Sequence, residues 1–366
     1  MKIFTGRNWR IFILTLLPIV QSCSYVGPNS VENDRRNYND VLQETNNEEI
    51  LLNLVRMKYV DTPSFINVNS ITSQLSFSAS TSLSVTKTVN SIGDGLNSLA
   101  KTIAPSFTVT DSPVISYSPL QGDQYVRELL TPVTSALITL LVSSGSPLGV
   151  VLKMSIARMN DVWNAPNASR PSPKMAPQFE QFDELIFNLN LLNKNVQLSY
   201  SVVDKKSLPT LRFEPGALAT PPGKNVVRIL NLAPGIDKFV FNSGDWVKKK
   251  NVINVQTRSV MGMLYLLSHS VSVPPEHEKL GWVGKTLNAD GSPFDWSRIT
   301  KGLFVINVSS EKPSDADIMV KYRDKWFSVA RNDLSTKKIF NIISLLLALQ
   351  SGTNDVKPPA LTIPLN

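Results

Sequence analysis

The stretch QLSFSASTSLSVT, residues 74–86, alternates without a break. Leu75, Phe77, Ala79, Thr81, Leu83 and Val85 fall on one side, and Ser76, Ser78, Ser80, Ser82, Ser84 and Thr86 on the other. Successive side chains of an extended chain leave it in opposite directions, so a period of two marks a strand with two unlike faces. The segment is predicted as a β-strand whose apolar side needs a cover. A protein core, a neighbouring subunit and lipid all satisfy that need. A half-buried strand of a soluble sheet shows the same alternation, and the expectation is that this face meets protein.

The flanking sequence extends the β signal from Ser64 to Tyr117. SFINVNSI, residues 64–71, reads as a strand, SIGDGLNSLAKTIAPS, 91–106, as a Gly- and Ser-containing connection, and FTVTDSPVISYS, 107–118, as a return strand broken by Pro113. Before them, NNEEILLNLVRMKYVDTP predicts a helix of about three turns. Asn46 or Asn47 would cap it, Ile50, Leu51, Leu54 and Val55 would form its apolar stripe, and it would end before Pro63.

Residues 122–159 carry a helical signal cut by Pro132 and by SSGSPLG into pieces suited to buried helices. NAPNASRPSPKMAP, residues 164–177, is rich in Pro and Ser and reads as a linker between domains. Beyond it, FEQFDELIFNLNLL and QTRSVMGMLYLLSHS predict helices, and VQLSYSVV, GLFVINVS, ADIMVKYR and KWFSVA predict strands, the last two joined through RDK. STKKIFNIISLLLALQSG predicts a final helix with Ser335 as N-cap and Gly352 as stop. The expected fold class is α+β: an N-terminal helix, an antiparallel β segment and a helical pair, then a C-terminal α+β domain. The expected layout is a signal segment (1–22), a tether (23–45), an N-terminal domain (46–163), the linker (164–177), a C-terminal domain (178–352) able to fold alone, and an extended tail (353–366).

The chain opens with Lys2, Arg7 and Arg10 ahead of ten apolar residues, Ile11 to Val20. That run is too short to span a bilayer and has the length of a signal-peptide core. It ends in VQSC, which resembles the lipobox of bacterial lipoproteins, although Gln21 is more polar than usual there. Cys23 is the one cysteine of the 366 residues. Lacking a thiol partner, it is the expected acylation site, a palmitate-type anchor. Ser24 in the second position resembles the sorting signal for the outer membrane, where the protein would sit lipid-anchored on the periplasmic face.

Removing residues 1–22 takes three basic and no acidic residues, leaving 34 basic against 29 acidic. A mild charge without a concentrated basic face gives no footprint for nucleic acid. The run Lys248-Lys249-Lys250 after Trp246 reads as a solvated loop, with a contact to anionic headgroups as the sharper alternative. His269 is read as a structural or exposed helix residue and His277 as part of a solvated loop. Neither has the companions of a metal set. Walker A, GxGxxG and GxSxG sequences are absent, so no catalytic residue, cofactor or metal is expected. Tyr322, Trp326 and Phe327 cluster around a hairpin, with Tyr322 and Trp326 as possible cross-strand partners. They are the candidate interaction residues, packing being the commoner role.

SYSPLQGDQYVRELLTPV, TRSVMGMLYLLS and DADIMVKYRDKWFSVARNDLSTKKIFNIISLLLALQSG resemble segments of uncharacterised exported lipoproteins of Gram-negative bacteria. The resemblance implies one evolutionary unit and no activity. The expected function is a non-enzymatic, protein-binding component of an envelope complex, with envelope proteins, secretion-system subunits or further copies of the chain as partners. An alternative is an oligomeric pore in which each chain gives a hairpin, residues 74–117, to a shared barrel. Against it stand Pro113, the missing aromatic girdle and the commonness of period two in soluble sheets. An enzyme acting on envelope polymers is a second alternative.

Overall fold

The computed structural model describes residues 26–72, 75–88, 98–111, 114–119, 123–203 and 205–351. The signal segment, Cys23 and the tail lie outside the described residues. The chain divides into two compact units, Met1–Pro63 with Gly122–Thr353, and Ser64–Gln121 with Asn354–Asn366. The fold class is α+β, as expected.

The first helix, α1 (Val26–Lys58), is longer than the sequence suggested. It begins well before Asn46 and takes up most of the expected tether. Ile50, Leu51, Leu54, Val55 and Met57 are buried, and α1 packs against a later helix and strand of its unit. Adding turns to a helix that packing has already nucleated costs little. Residues 35–45 are helical in that way and almost all exposed, which is why they lack an apolar period.

Among its described residues the smaller unit has four strands, β1 (Ile66–Thr72), β2 (Leu75–Thr88), β3 (Ser98–Asp111) and β4 (Val114–Pro119). β1 pairs with β4 and β2 with β3, both antiparallel. From Thr72↔Val114 to Leu75↔Asp111 each strand advances by three residues, so the two ladders keep one register. β3 starts at Ser98, inside the segment expected to be a connection, and passes through Pro105 without a register shift. Pro113, expected to break the return strand, lies outside the described residues.

The larger unit continues with α2 (Asp123–Leu130), α3 (Ser135–Ser143), α4 (Leu148–Ser155), β5 (Ile156–Met159) and β6 (Val162–Trp163). The expected helical pair is thus three helices, and helix gives way to strand at Ile156. Then come α5 (Glu180–Leu192), β7 (Val196–Val203), β8 (Lys206–Phe213), α6 (Pro221–Leu230), β9 (Lys238–Asn242), β10 (Val252–Thr257), α7 (Val260–Ser268) and α8 (Pro275–Lys279). The last elements are α9 (Ser297–Thr300), β11 (Asn307–Ser309), β12 (Ala316–Tyr322), β13 (Lys325–Ala330) and α10 (Leu334–Ser351). At the start of α10, Asp333 rather than Ser335 accepts the Thr336 amide, at 3.0 Å.

A six-stranded mixed sheet runs β6-β5-β10-β9-β8-β7, and a three-stranded sheet β11-β13-β12. β5 and β6 precede the expected linker, yet they lie in one sheet with strands that follow it. The linker itself is part of the core. Ala165 and Ala168 are fully buried and cluster with Phe179, Leu266, Phe294 and Ile299. The boundary expected at 164–177 therefore does not match the division between units, which falls at 63/64 and 121/122. A Pro/Ser-rich segment looks like a linker only while its partners are unknown.

Arg258 holds this segment down. Its side chain is buried, 2% exposed, and among the described residues no carboxylate bonds to it. Nε donates to Ser169 Oγ at 3.0 Å, Nη1 to the carbonyls of Lys153 and Met154 at 3.1 Å each and to that of Ile156, and Nη2 to the carbonyls of Asn164 and of Ala165, the latter at 3.2 Å. Two of these acceptors belong to the last turn of α4, where helix carbonyls lack partners and the dipole favours a cation. Burial nonetheless pulls the guanidinium down to about 9. Replacing Arg258 with Leu should lower the unfolding free energy by about 3 kcal/mol or more, because buried carbonyls lose their donors. Lys should restore less than half, since one ammonium cannot reach both α4 and Ala165. Urea titration of the three proteins checks this.

The topology also separates two truncations. Ile66↔Pro119 pairing brings the two ends of the β ribbon side by side, so joining Thr72 to Val114 through Asn-Gly should leave the larger unit folded, with an unchanged melting temperature. A fragment from Phe179 to Asn366 lacks β5, β6 and α1 and should fail to unfold cooperatively. Calorimetry of both distinguishes them.

Candidate functional site

Fourteen consecutive residue pairs join β2 to β3, from Leu75↔Asp111 to Thr88↔Ser98. Neighbouring rows of such a ladder belong to opposite faces. The odd-numbered rows pair Phe77 with Val109, Ala79 with Phe107, Thr81 with Pro105 and Leu83 with Ile103. The even-numbered rows pair Ser76 with Thr110, Ser78 with Thr108, Ser80 with Ser106, Ser82 with Ala104, Ser84 with Thr102, Thr86 with Ala100 and Thr88 with Ser98. The face separation read in residues 74–86 thus holds on the return strand as well. Sequence reading missed half of β3 because Lys101 and Pro105 masked an alternation that continues through Thr102, Ala104, Ser106 and Thr108.

The three charged residues of these strands, Asp111, Lys101 and Lys87, occupy odd rows near the ends of the ladder. Asp111 stands in the row of Leu75 and Lys101 in that of Val85, ten residues on. Each ladder is a two-stranded sheet, which is marginal alone in water. Ser78, Ser80, Ser82, Ser106 and Thr108, all in even rows, are exposed, as are Val114, Ile115 and Tyr117 of β4.

The predicted aromatic patch is mostly packing. The β12–β13 turn has two residues, Arg323 and Asp324, both with positive φ, so Tyr322 faces Lys325 and Trp326 faces Lys321. Tyr322 and Trp326 are therefore not cross-strand partners. Phe327 is fully buried. Tyr322 is half-buried and donates its hydroxyl hydrogen to Asp61, which also accepts from Arg323 at 3.0 Å. The Arg323 guanidinium lies 5.0 Å from the Tyr59 ring and 5.1 Å from the Trp282 ring, a cation–π arrangement. These contacts fasten the turn after α1 to β12. Trp326 is half-buried, with the Lys312 ammonium 5.5 Å from its ring.

His277 is buried rather than solvated: it sits in α8 with Nδ1 2.7 Å from the Tyr59 hydroxyl. A distant partner, 218 residues back, is invisible to local pattern. Of the two readings, structural or exposed, His269 takes the first and is buried. Its ring stacks on Trp296 at 3.8 Å, and Nε2 lies 3.1 Å from the Ala168 carbonyl. Lys248, Lys249 and Lys250 are exposed. Beside them Trp246 stacks on Arg158, which is sandwiched against Trp163 at 4.4 Å. Among the described residues no group of three or more His, Cys, Asp or Glu is placed to hold a metal, and no helix is long and apolar enough to cross a membrane.

Comparisons with protein families, with curated proteins and with solved structures give no match for this chain.

Burial, reinforced by the Lys58 ammonium, pulls His269 down to about 3 against the opposing pull of the Ala168 and Arg170 carbonyls. The fold thus accepts the neutral ring, whereas an unfolded histidine takes a proton near pH 6.5. The stability this residue contributes is present above pH 6.5 and is lost as pH falls below it, at about 1.4 kcal/mol per pH unit. Burial lowers His277 too, adding to the same acid limb. His269→Gln keeps a donor for Ala168 and should flatten the limb between pH 6 and 4.5 by one proton's worth of slope. Urea unfolding across that range measures it, and an unaltered slope would contradict the assignment.

Proposed function

We propose that the protein is a lipid-anchored, non-enzymatic component of the outer membrane whose β2–β3 hairpin joins the hairpins of other copies in a shared transmembrane β-barrel. The observation that carries this reading is the face-separated ladder and its length. Ten residues separate the Asp111 and Lys101 rows, about 33 Å along a strand at about 3.3 Å per residue. A barrel strand tilted by about 40° projects that length onto about 25 Å, the height of the apolar band of an outer-membrane barrel. Charges bracket the band on the odd rows, where an outward face would meet headgroups. The Ser and Thr rows suit a wet lumen.

The requirement for several copies follows from backbone chemistry. In hydrocarbon every amide and carbonyl needs a partner, so a hairpin with two open edges is tolerated only inside a closed barrel. One hairpin per chain closes a barrel only by symmetric repetition. Acylation at Cys23 would hold each copy at the membrane beforehand, since each buried methylene contributes about 0.8 kcal/mol. The described β2–β3 ladder ends at Asp111, ahead of Pro113 in the chain.

The test uses the full lipidated chain in vesicles. With Cys23 acylated, an introduced cysteine is the one free thiol. An environment-sensitive dye at Leu83→Cys should be quenched by nitroxides on lipid acyl chains, and the same dye at Ser80→Cys by aqueous iodide. A Leu83 dye shielded from both quenchers would mean that protein covers the odd rows, and the barrel would be wrong.

A further inference from the structure

The seven even-numbered rows of the β2–β3 ladder contain Ser, Thr and Ala and no ionisable group. Resting on the barrel reading, we infer that the lumen is a charge-neutral, hydroxyl-lined conduit that passes hydrated solutes of either charge sign without ranking them by charge. In a symmetric assembly each lumen residue becomes a ring, and rings of charged side chains are what make a pore choose cations or anions. Here no even row supplies such a ring. A hydroxyl has both a donor and acceptor lone pairs, so Ser and Thr are able to replace water around a cation or around an anion. The even rows also lack the large apolar residues that close a pore by dewetting. Serines 78, 80 and 82 with Ser106 and Thr108 are exposed to water, as a wetted surface must be. Lys87, Lys101 and Asp111 stand in odd rows, on the side the barrel reading turns outward, so they leave the conduit uncharged.

The experiment is the permeability ratio of potassium to chloride, read from the reversal potential of the reconstituted full-length protein under a potassium chloride gradient. The parent should give a ratio near unity. Ser80→Glu should move the ratio several-fold toward potassium and Ser80→Lys several-fold toward chloride. Ser106→Glu, in the same row, should repeat the first shift and serves if Ser80→Glu fails to assemble. Lys101→Gln, from an odd row, should leave the ratio unchanged. A parent conductance strongly selective for one ion, or charged even-row variants with the parent's ratio, would overturn the neutral conduit while leaving the barrel intact. A parent without any conductance would overturn the barrel itself, and this inference with it.

Discussion

One buried cation organises the larger unit. Arg258 sits at the junction of β10 and α7 and bonds to backbone on both sides of it, the end of α4 and the loop that follows β6. A guanidinium without a carboxylate would ordinarily be expelled from a core. Here carbonyl dipoles stand in for the counter-ion, and the orphan carbonyls at the end of α4 gain the donors they lack. That bonding brings residues 153–169 against the strand and helix a hundred residues later. It lets β5 and β6 enter the central sheet and makes one core out of two stretches that sequence alone separates.

The smaller unit obeys the opposite logic. Among the described residues its strands form two-stranded sheets, and a two-stranded ribbon gains too little from its own pairing to be stable in water. Its order must come from regular pairing along its length and from whatever covers the odd rows. The larger unit, by contrast, has long-range fixing points such as the Tyr59–His277 bond and the Asp61 bonds to Tyr322 and Arg323. The two units thus differ in construction: one is ordered by contacts between residues far apart in sequence, and the other by repeating rows of paired strands.

How much of this was legible in the sequence follows from the range of each interaction. Local signals worked. The alternation of residues 74–86 named β2, the stripe from Ile50 to Val55 named the packed half of α1, and the apolar runs named α5 and α10. Failures came where a distant partner decides. The linker at 164–177 is core because Arg258 and Phe294 reach it. His277 is buried because Tyr59 lies over it, and Phe327 is buried because β13 runs between β11 and β12. The missed half of β3 is different in kind. Its rows are individually weak, with Lys101 and Pro105 among them, and only the register against β2 makes them a strand.

The regular register of the β2–β3 ladder, from Leu75↔Asp111 to Thr88↔Ser98, also restricts how this protein is able to evolve. One residue gained or lost on a single strand would exchange the two faces for every row beyond it. Length therefore changes without penalty only in matched steps, two residues on β2 together with two on β3, each step altering the ribbon by about 7 Å along its strands. Substitutions within a row are cheap by comparison, provided they keep its character. Lineages of this chain should thus drift freely in which hydroxyl residue fills an even row while inheriting the number of rows in whole double steps, a ruler divided more coarsely than the genetic code that writes it.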